Sequence, residues 1–223
     1  AVGAASNAVA SGADNTAGNL LGAVIPSAAD VTAVEDTAGN TWVKAIEATG
    51  VGAEGEIWYV EDCLGGANTV TQTNTFGSSF CNIWAAEYSG IATASALDKT
   101  VEHGYESTPT DSPDSGATAT TAQADELLVG GISNAAEDIT WSEPDTEQYE
   151  ATVGAGRSLG AADEIVSATG TYHATGTKAT STAGIAAFLA TFKAASAPSG
   201  QPATKRVGGV RFAAGPYRHA QNV

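Results

Sequence analysis

The amino-acid sequence predicts an all-β fold, an antiparallel, jelly-roll-like β-sandwich built from two weakly similar halves. The chain of 223 residues contains 26 glycines and many Thr, Ser and Ala residues, and it is poor in the Lys, Arg, Gln and Leu that fill ordinary helices. Short β-rich runs recur between Gly, Asn, Asp and Pro turn signals, which is typical of a sandwich or a barrel. No long amphipathic helical pattern interrupts these runs.

The first series of predicted strands occupies residues 20–89. Its members are LLGAVI (20–25), VTAVED (31–36), TWVKAIE (41–47), EIWYVED (56–62), NTVTQTN (68–74) and FCNIWAAEYS (80–89). Side chains alternate between the faces of a strand, so Ile83 and Ala85 point one way in the last run. Trp84 and Tyr88 point the other way, and neither face is polar. We therefore predict a central strand whose aliphatic pair lies in the sandwich interior and whose aromatic pair is covered by loops or a neighbouring subunit.

The second series of predicted strands occupies residues 99–193. Its members are KTVEHGY (99–105), TATTAQ (118–123), ELLVGGIS (126–133), QYEATV (148–153), DEIVSATG (163–170), TYHATGT (171–177) and GIAAFLATFK (184–193). Residues 106–116, ESTPTDSPDSG, are rich in turn-forming residues and contain no apolar side chain. This composition predicts a loop between the two halves, and PDTEQ at residues 144–148 predicts another.

The two series match each other in the order of their members. AGNLLGAVI (17–25) matches ADELLVGGI (124–132), EIWYVED matches DEIVSAT, NTVTQTN matches TYHATGT, and CNIWAAEYSG matches AGIAAFLATF. The period of about 107 residues is too long for a solenoid repeat. It indicates two related sets of strands that complete one sandwich.

The charge is divided sharply along the chain. The part up to Glu164 contains all 25 acidic residues and three basic ones, a net charge of −22, whereas the rest contains six basic residues and no acid. An acidic body repels nucleic acid, and a basic terminal segment is typical of an interacting tail. We therefore divide the chain into a β-sandwich domain, residues 1–193, and an extended basic C-terminal arm, residues 194–223. No run of about 18 apolar residues occurs, so we expect no membrane-spanning segment.

Seven motifs carry a resemblance to a known family. They are AGNLL, DTAGNTW, EIWYVED, IWAAEYSG, ADELLVGGI, DEIVSATG and IAAFLATFK, in this order between residues 15 and 193. The series resembles a β-sandwich domain that recurs in phage virion-associated proteins and in secreted bacterial proteins. The resemblance implies a jelly-roll-like sandwich in a virion or extracellular setting, without an assigned activity. The tail, VGGVRF followed by AAGPYRH, is similar to C-terminal peptides of small phage structural proteins.

These features together predict a non-enzymatic structural protein of a phage particle, a capsid decoration or fibre-base protein on the virion surface. The acidic sandwich would provide outward mass, and the basic arm would dock on a capsid or other virion protein. We expect a homo-oligomer or repeated copies on a lattice. The predicted partner-binding residues are basic, aromatic or apolar: Lys205, Arg206, Val207, Val210, Arg211, Phe212, Tyr217 and Arg218.

Residue patterns for catalysis or metal binding are sparse. The three histidines show no HxH or HxxxH spacing, and no GxSxG motif or phosphate-binding loop occurs. Adjacent carboxylates such as Asp125 and Glu126 are interpreted as solvated turn acids, because a glycosidase needs carboxyl groups that face each other. DTAGN at residues 36–40 offers oxygen ligands for calcium, yet an Asx turn explains the same residues. We predict no enzyme activity, no cofactor and no metal.

The tryptophans support an alternative function. If they are exposed, Trp58, Trp84 and Trp141 would form a sugar-stacking platform, since aromatic rings offer flat apolar faces. The chain would then be a carbohydrate-binding or adhesive module of a secreted bacterial protein. Positions in the core or at a subunit interface explain the same rings.

The two cysteines leave two possibilities open. Cys63 and Cys81 belong to runs that can be neighbouring strands, so one disulfide can join them. Two buried thiols are the other interpretation, since a pair of cysteines says little about the redox compartment.

Overall fold

A computed structural model describes residues 5–27, 31–50, 54–75, 82–134, 139–153, 157–196 and 209–211. In this part of the chain every regular element is a β-strand, and every pair of strands is antiparallel. The predicted all-β sandwich is therefore confirmed. Among the described residues, no helix has the length and apolar character needed to cross a membrane.

The described part of the first half contains seven strands. They are β1 (Ala5–Ala10), β2 (Leu20–Ser27), β3 (Val31–Asp36), β4 (Val43–Ala48), β5 (Glu54–Val60), β6 (Thr69–Asn74) and β7 (Trp84–Tyr88). The runs predicted between residues 20 and 89 correspond to β2 through β7. The sequence pattern does not predict β1, because ASNAVA contains a single β-branched residue and no aromatic one.

The second half contributes seven described strands, and the arm contributes one more. They are β8 (Leu97–Glu106), β9 (Asp125–Asn134), β10 (Thr140–Glu143), β11 (Thr146–Val153), β12 (Arg157–Ser167), β13 (Thr175–Thr177), β14 (Ile185–Lys193) and β15 (Gly209–Arg211). β12 begins before the predicted run at residues 163–170, and β11 begins inside the predicted loop at residues 144–148. The sequence pattern does not predict β10 either.

The strand predicted at residues 118–123 is wrong. Thr118 N donates to the Tyr172 carbonyl at 2.9 Å, and Thr121 N donates to the Gly170 carbonyl at 2.9 Å. The two donors, Thr118 and Thr121, are three residues apart, whereas the two acceptors, Tyr172 and Gly170, are two residues apart. The segment is therefore extended and attached to its neighbour, but it forms no regular ladder.

Two five-stranded sheets face each other and form the sandwich. Their strand orders are β15-β7-β2-β5-β4 and β11-β12-β9-β14-β8. Trp84, Phe188 and Phe192 are among the fully buried side chains of the apolar cluster between them. The Phe188 ring fits because glycines lie next to it in both sheets: a Cβ at Gly55 of the facing β5 would lie 2.0 Å from the ring, and a Cβ at Gly131 of the neighbouring β9 would lie 2.3 Å from it. Burial of these rings provides a large part of the hydrophobic stabilisation.

A further layer lies outside each five-stranded sheet. The three-stranded sheet β1-β6-β3 lies over β2, β5 and β7, where Val9 and Val70 pack with Ile25. The two-stranded sheet β10-β13 belongs to the opposite layer, where Ala174, next to β13, packs with Leu128 of β9. The central strands are therefore buried on both faces, which explains their nearly continuous apolar sequences.

β7 contains the stretch that is apolar on both faces. Trp84 is 1% exposed and lies with Tyr88 between the five-stranded sheets, whereas Ile83 and Ala85 pack beneath the three-stranded sheet. The predicted central position is confirmed, since β7 lies between β15 and β2. The predicted orientation is wrong, because the aromatic pair faces the interior and an outer layer of the same chain covers the aliphatic pair.

The two halves repeat one pairing scheme. In the five-stranded sheets, β2 lies between β7 and β5, just as β9 lies between β14 and β12. In the outer layers, β3 pairs with β6, just as β10 pairs with β13. Leu20 lies opposite Tyr88, and Leu127 lies opposite Phe192. The predicted relation between the halves is therefore visible in the strand order. In this scheme the counterpart of β8 is β15.

Candidate functional site

The outer edge of β7 carries the arm. Gly209, Val210 and Arg211 of β15 lie opposite Tyr88, Glu87 and Ala86 in an antiparallel register. All five residues of β7 are buried. The arm thus supplies the outermost strand of the first five-stranded sheet. We call the β7 edge and β15 together the arm site.

Two of the predicted partner-binding residues fall within the arm site. Val210 and Arg211 belong to β15, so their backbone lies against the sandwich of the same chain. The other predicted residues lie outside the described part of the chain: Lys205, Arg206, Val207, Phe212, Tyr217 and Arg218. Sequence reasoning thus identifies the arm but not the edge that receives it.

Glu87 of β7 is a buried carboxylate at the arm site that binds the segment before β2. Its side chain is 1% exposed, and burying a carboxylate is costly unless hydrogen bonds compensate. Asn15 Nδ2 donates to Oε2 at 2.9 Å, while Thr16 N and Asn19 Nδ2 donate to Oε1 at 2.8 and 2.6 Å. These bonds hold the segment before β2 against β7. The sequence signal for this role is a single acid inside an otherwise apolar run.

Hydrogen bonds between the two five-stranded sheets support β7 from the other side. Tyr88 Oη donates to Asp163 Oδ2 of β12 at 2.8 Å. Asn82 Nδ2, just before β7, donates to Tyr149 Oη of β11 at 2.6 Å. Burial raises the pKa of Tyr149, against the opposing effect of the Asn82 bond. The edge that receives the arm is therefore held by both neighbouring layers.

The chain leaves the sandwich beside the arm site. Ala194 forms an antiparallel bridge with Ile91, and Ala195 N donates to the Gly90 carbonyl at 2.8 Å. Gln123 Nε2 donates to the Ala194 carbonyl at 3.2 Å and secures the same point. The end of the sandwich domain therefore lies close to the strand with which the arm pairs.

The tryptophans considered for sugar binding lie in different layers. Trp84 lies in the core between the five-stranded sheets, so it is not accessible to a sugar. Trp58 packs beneath the three-stranded sheet, and Trp141 packs on the outside of the second five-stranded sheet. The three rings therefore share no platform.

Charged side chains surround the partly buried Trp58. Its Nε1 donates to Glu56 Oε2 at 2.5 Å, and Lys44 Nζ lies 5.3 Å from the ring centroid and 3.1 Å from Glu56 Oε1. Burial raises the pKa of Glu56, although the bonds from Trp58 and Lys44 oppose this effect. Burial lowers the pKa of Lys44, but its bonds to Glu47 and Glu56 outweigh burial, and the pKa lies above its ordinary value. Glu56 thus accepts the hydrogen bond of the indole N–H, and Lys44 covers one face of the Trp58 ring.

A pocket with a volume of about 230 Å³ lies on the outer side of the second five-stranded sheet. Its lining includes Ile185, His103, Glu106 and Asp114. His103 Nε2 lies 3.1 Å from Glu106 Oε2, and the neighbouring His173 Nδ1 lies 2.9 Å from Asp114 Oδ1. Each ring is thus paired with one carboxylate. Within the described residues, no group of three or more His, Cys, Asp or Glu side chains is placed to hold a metal ion.

Glu126 departs from the interpretation of paired carboxylates as solvated turn acids. It is 1% exposed, and no donor of the described chain has good hydrogen-bond geometry to either carboxylate oxygen, although the Thr191 hydroxyl and the Asp98 carboxyl lie near them. Burial and the nearby Asp98 raise its pKa to about 7, against an opposing effect of the Thr191 hydroxyl. Glu126 is therefore a group whose ionisation opposes folding.

Asp36 forms the turn that the sequence leaves open between calcium binding and an Asx turn. Its Oδ1 accepts from Asn40 N at 2.9 Å, and its Oδ2 accepts from Asn40 Nδ2, Trp42 Nε1 and Asn68 Nδ2 at 2.8, 3.0 and 3.1 Å. Burial raises the pKa of Asp36, but these bonds outweigh burial and the pKa lies below its ordinary value. N–H donors thus occupy both oxygens, which supports the Asx turn.

Cys63 is a buried thiol whose Sγ donates to the Thr16 carbonyl at 3.3 Å. Burial and the negative charge of Glu87 raise its pKa to about 11. Cys81, the other half of the predicted disulfide, lies outside the described residues. The bridge therefore stays a prediction.

Comparison of the chain with models of known protein families, with curated protein sequences and with solved structures finds no match. The fold and the arm site therefore stand on their own geometry and chemistry.

Proposed function

We propose that this chain is a non-enzymatic structural protein of a phage particle, a capsid decoration or fibre-base protein that docks through its basic C-terminal arm. One observation carries the docking role: β15 of the arm completes the β7 edge of a sandwich as an added strand. Strand addition is a common mode of protein–protein recognition, because backbone hydrogen bonds provide affinity at an otherwise open edge. The particle setting rests on the ordered motifs that resemble phage β-sandwich domains.

The division of charge supports an assembling protein. The arm, residues 194–223, contains four basic residues and no acid, whereas the part up to Glu164 has a net charge of −22. Copies with such acidic bodies repel each other unless a basic segment lies between them. An arm of opposite sign is suited to joining neighbouring proteins on a lattice.

The polar clusters support a structural role over an enzymatic one. The buried carboxylate of Glu87 accepts three hydrogen bonds from its own chain, and Asp36 accepts four. Groups satisfied in this way hold loops in place and offer no free base for catalysis. The His103 side chain is exposed and that of His173 is half-buried, and each contacts one carboxylate.

A deletion of residues 198–223 tests the proposal. We expect the truncated chain to fold into the sandwich but to be lost from particles, because it lacks the docking strand and four basic residues. Circular dichroism measures folding, and quantification of purified particles measures incorporation. A chain whose tail has the same composition in scrambled order is the matched control, since it keeps charge and length. Incorporation of the truncated chain at the occupancy of the full chain would refute docking through the arm.

The alternative, a carbohydrate-binding or adhesive module of a secreted bacterial protein, has less support. Trp84 is buried in the core, and Lys44 lies over the ring of Trp58. Trp141, which is partly exposed, is the remaining candidate. A glycan array in which binding is lost in Trp141→Ala, with the fold intact, would favour this alternative.

A further inference from the structure

The two halves differ in how the equivalent edge of their sheets is covered. The edge of β14 pairs with β8, a ten-residue strand of the sandwich domain. At the edge of β7, the described chain supplies only the three residues of β15. Because β7 is buried on both faces, an uncovered edge would leave backbone donors and acceptors beside apolar side chains. A strand added at this edge is therefore favourable, and the arm supplies one that is only three residues long.

The tether between sandwich and arm is much longer than the gap it closes. Its two ends lie beside neighbouring positions: Ala195 bonds to Gly90, and Gly209 lies opposite Tyr88. The tether comprises residues 196–208. A segment of this length can extend over roughly 45 Å, whereas the span from Tyr88 to Gly90 is on the order of 7 Å. The arm of one copy can therefore reach the β7 edge of a neighbour.

We propose that β15 pairs with β7 of a second copy of this chain when copies are crowded, so that neighbouring subunits exchange arms. The exchange preserves every backbone pairing of the arm site, since the edges of identical copies are identical. The proposal rests on the docking function proposed above and names the partner surface.

The concentration of neighbouring edges decides between the two pairings. A tether gives its own arm an effective concentration on the order of millimolar. A dilute copy therefore fills its own edge, whereas a lattice presents neighbouring edges at a comparable concentration. In both pairings each acidic body holds one arm with four basic residues, so charge favours a filled edge without distinguishing the two pairings. Crowding therefore favours exchange through concentration alone.

Two full-length cysteine variants test the exchange. Both have Cys63 and Cys81 replaced by Ala, and they carry tags of different size. One contains Ala86→Cys and the other Arg211→Cys, positions that lie opposite each other at the arm site. Opposite residues of antiparallel strands have the Cα separation that a disulfide requires. On mixing at high concentration and oxidation, we expect a cross-linked dimer that contains both tags.

Matched variants separate strand pairing from chance collision. Val210→Pro, added to the Arg211→Cys chain, removes a backbone donor and is expected to abolish the mixed dimer, whereas Val210→Ala is expected to retain it. Leu64→Cys, on a side chain that is 52% exposed, replaces Ala86→Cys as the collision control and is expected to give no mixed dimer. A cross-link that survives Val210→Pro, or that forms equally with Leu64→Cys, overturns the proposal.

Analytical sedimentation of chains that keep Cys63, Cys81 and Ala86 gives an independent measure of association. We expect the average mass of the full chain and of Val210→Ala to rise with concentration, and that of Val210→Pro to stay at the monomer. Equal masses for all three chains overturn the exchange. If deletion of residues 198–223 prevents incorporation into particles while no mixed dimer forms, docking by the arm stands and its partner is not the β7 edge of a second copy.

Discussion

The equivalent edges of β7 and β14 show that two halves with one strand order can be completed in different ways. β8 lies along β14 between Leu97 and Glu106 and belongs to the sandwich, whereas β15 lies along three residues of β7 and belongs to the arm. The second half is therefore closed by a strand of the sandwich domain itself. The first half depends on a strand from the far end of the chain, and a strand on such a tether is suited to exchange.

The buried acids of the two halves differ in the same way. Glu87 of β7 accepts three hydrogen bonds of good geometry, whereas no donor in the described part of the chain has good hydrogen-bond geometry to Glu126 of β9. A buried carboxylate with partners holds its surroundings in place. A buried carboxylate without partners makes the free energy of unfolding depend on pH.

The largest expected effect tests the equivalence of the two cores. Trp84 lies opposite Val24, and Phe188 lies opposite Gly131, at corresponding places of β2 and β9. Trp84→Ala and Phe188→Ala are each expected to lower the free energy of unfolding by about 3–5 kcal/mol, because each leaves a large cavity. Urea denaturation measures the loss, and Val43→Ala, at a site that is 47% exposed, should leave stability nearly unchanged. A loss below about 1 kcal/mol for either ring would contradict its place in the core.

Replacement of Glu126 tests the contrast between the buried acids. Its pKa is about 7 in the folded chain, above the ordinary value of 4.5, so ionisation opposes folding increasingly as pH rises through this window. Glu126→Gln should therefore raise the free energy of unfolding at pH 8, by roughly 3 kcal/mol at most, and change it little at pH 4. Glu87→Gln should be destabilising at pH 8, because it weakens three hydrogen bonds. Thermal denaturation as a function of pH gives both results, and a pH-independent effect of Glu126→Gln would count against this account.

A smaller effect distinguishes two glycines of the central strands. A Cβ at Gly131 of β9 would lie 2.3 Å from Phe188 and 2.8 Å from Val24, whereas one at Gly22 of β2 would lie 3.5 Å from Tyr88. Gly131→Ala should cost about 1–3 kcal/mol through overpacking, and Gly22→Ala should be nearly neutral. Comparison of their urea midpoints checks this order. Equal midpoints would mean that the two central strands do not approach as described.

The smallest expected effect concerns the arm. Val210→Pro should change the free energy of unfolding by about 1 kcal/mol or less, because only three residues pair at the β7 edge. Val210→Ala is the control that keeps the backbone donor. If Val210→Pro unfolds the sandwich, β15 is an integral strand rather than a docking element.

The strand content was predictable because it depends on local sequence. Short β-rich runs between turn residues indicate strands wherever they occur, and the matches AGNLLGAVI with ADELLVGGI and CNIWAAEYSG with AGIAAFLATF indicate related halves. The charge division likewise identifies the arm from the order of the residues alone. TATTAQ at residues 118–123 failed because β-branched residues also favour an extended loop, which here bonds to its neighbour only at Thr118 and Thr121.

The fold class, the order of most strands along the chain and the basic character of the arm can be read from the amino-acid sequence, since composition and periodicity are properties of neighbouring residues. Packing of the layers is needed to show which face of β7 is the interior, since both Trp84 and Ile83 are apolar and period-two alternation cannot distinguish two buried faces. The tertiary structure also shows that Glu87 and Glu126 are buried and that Val210 lies beside β7. These features depend on contacts between residues that are distant along the chain, and no local pattern records such contacts.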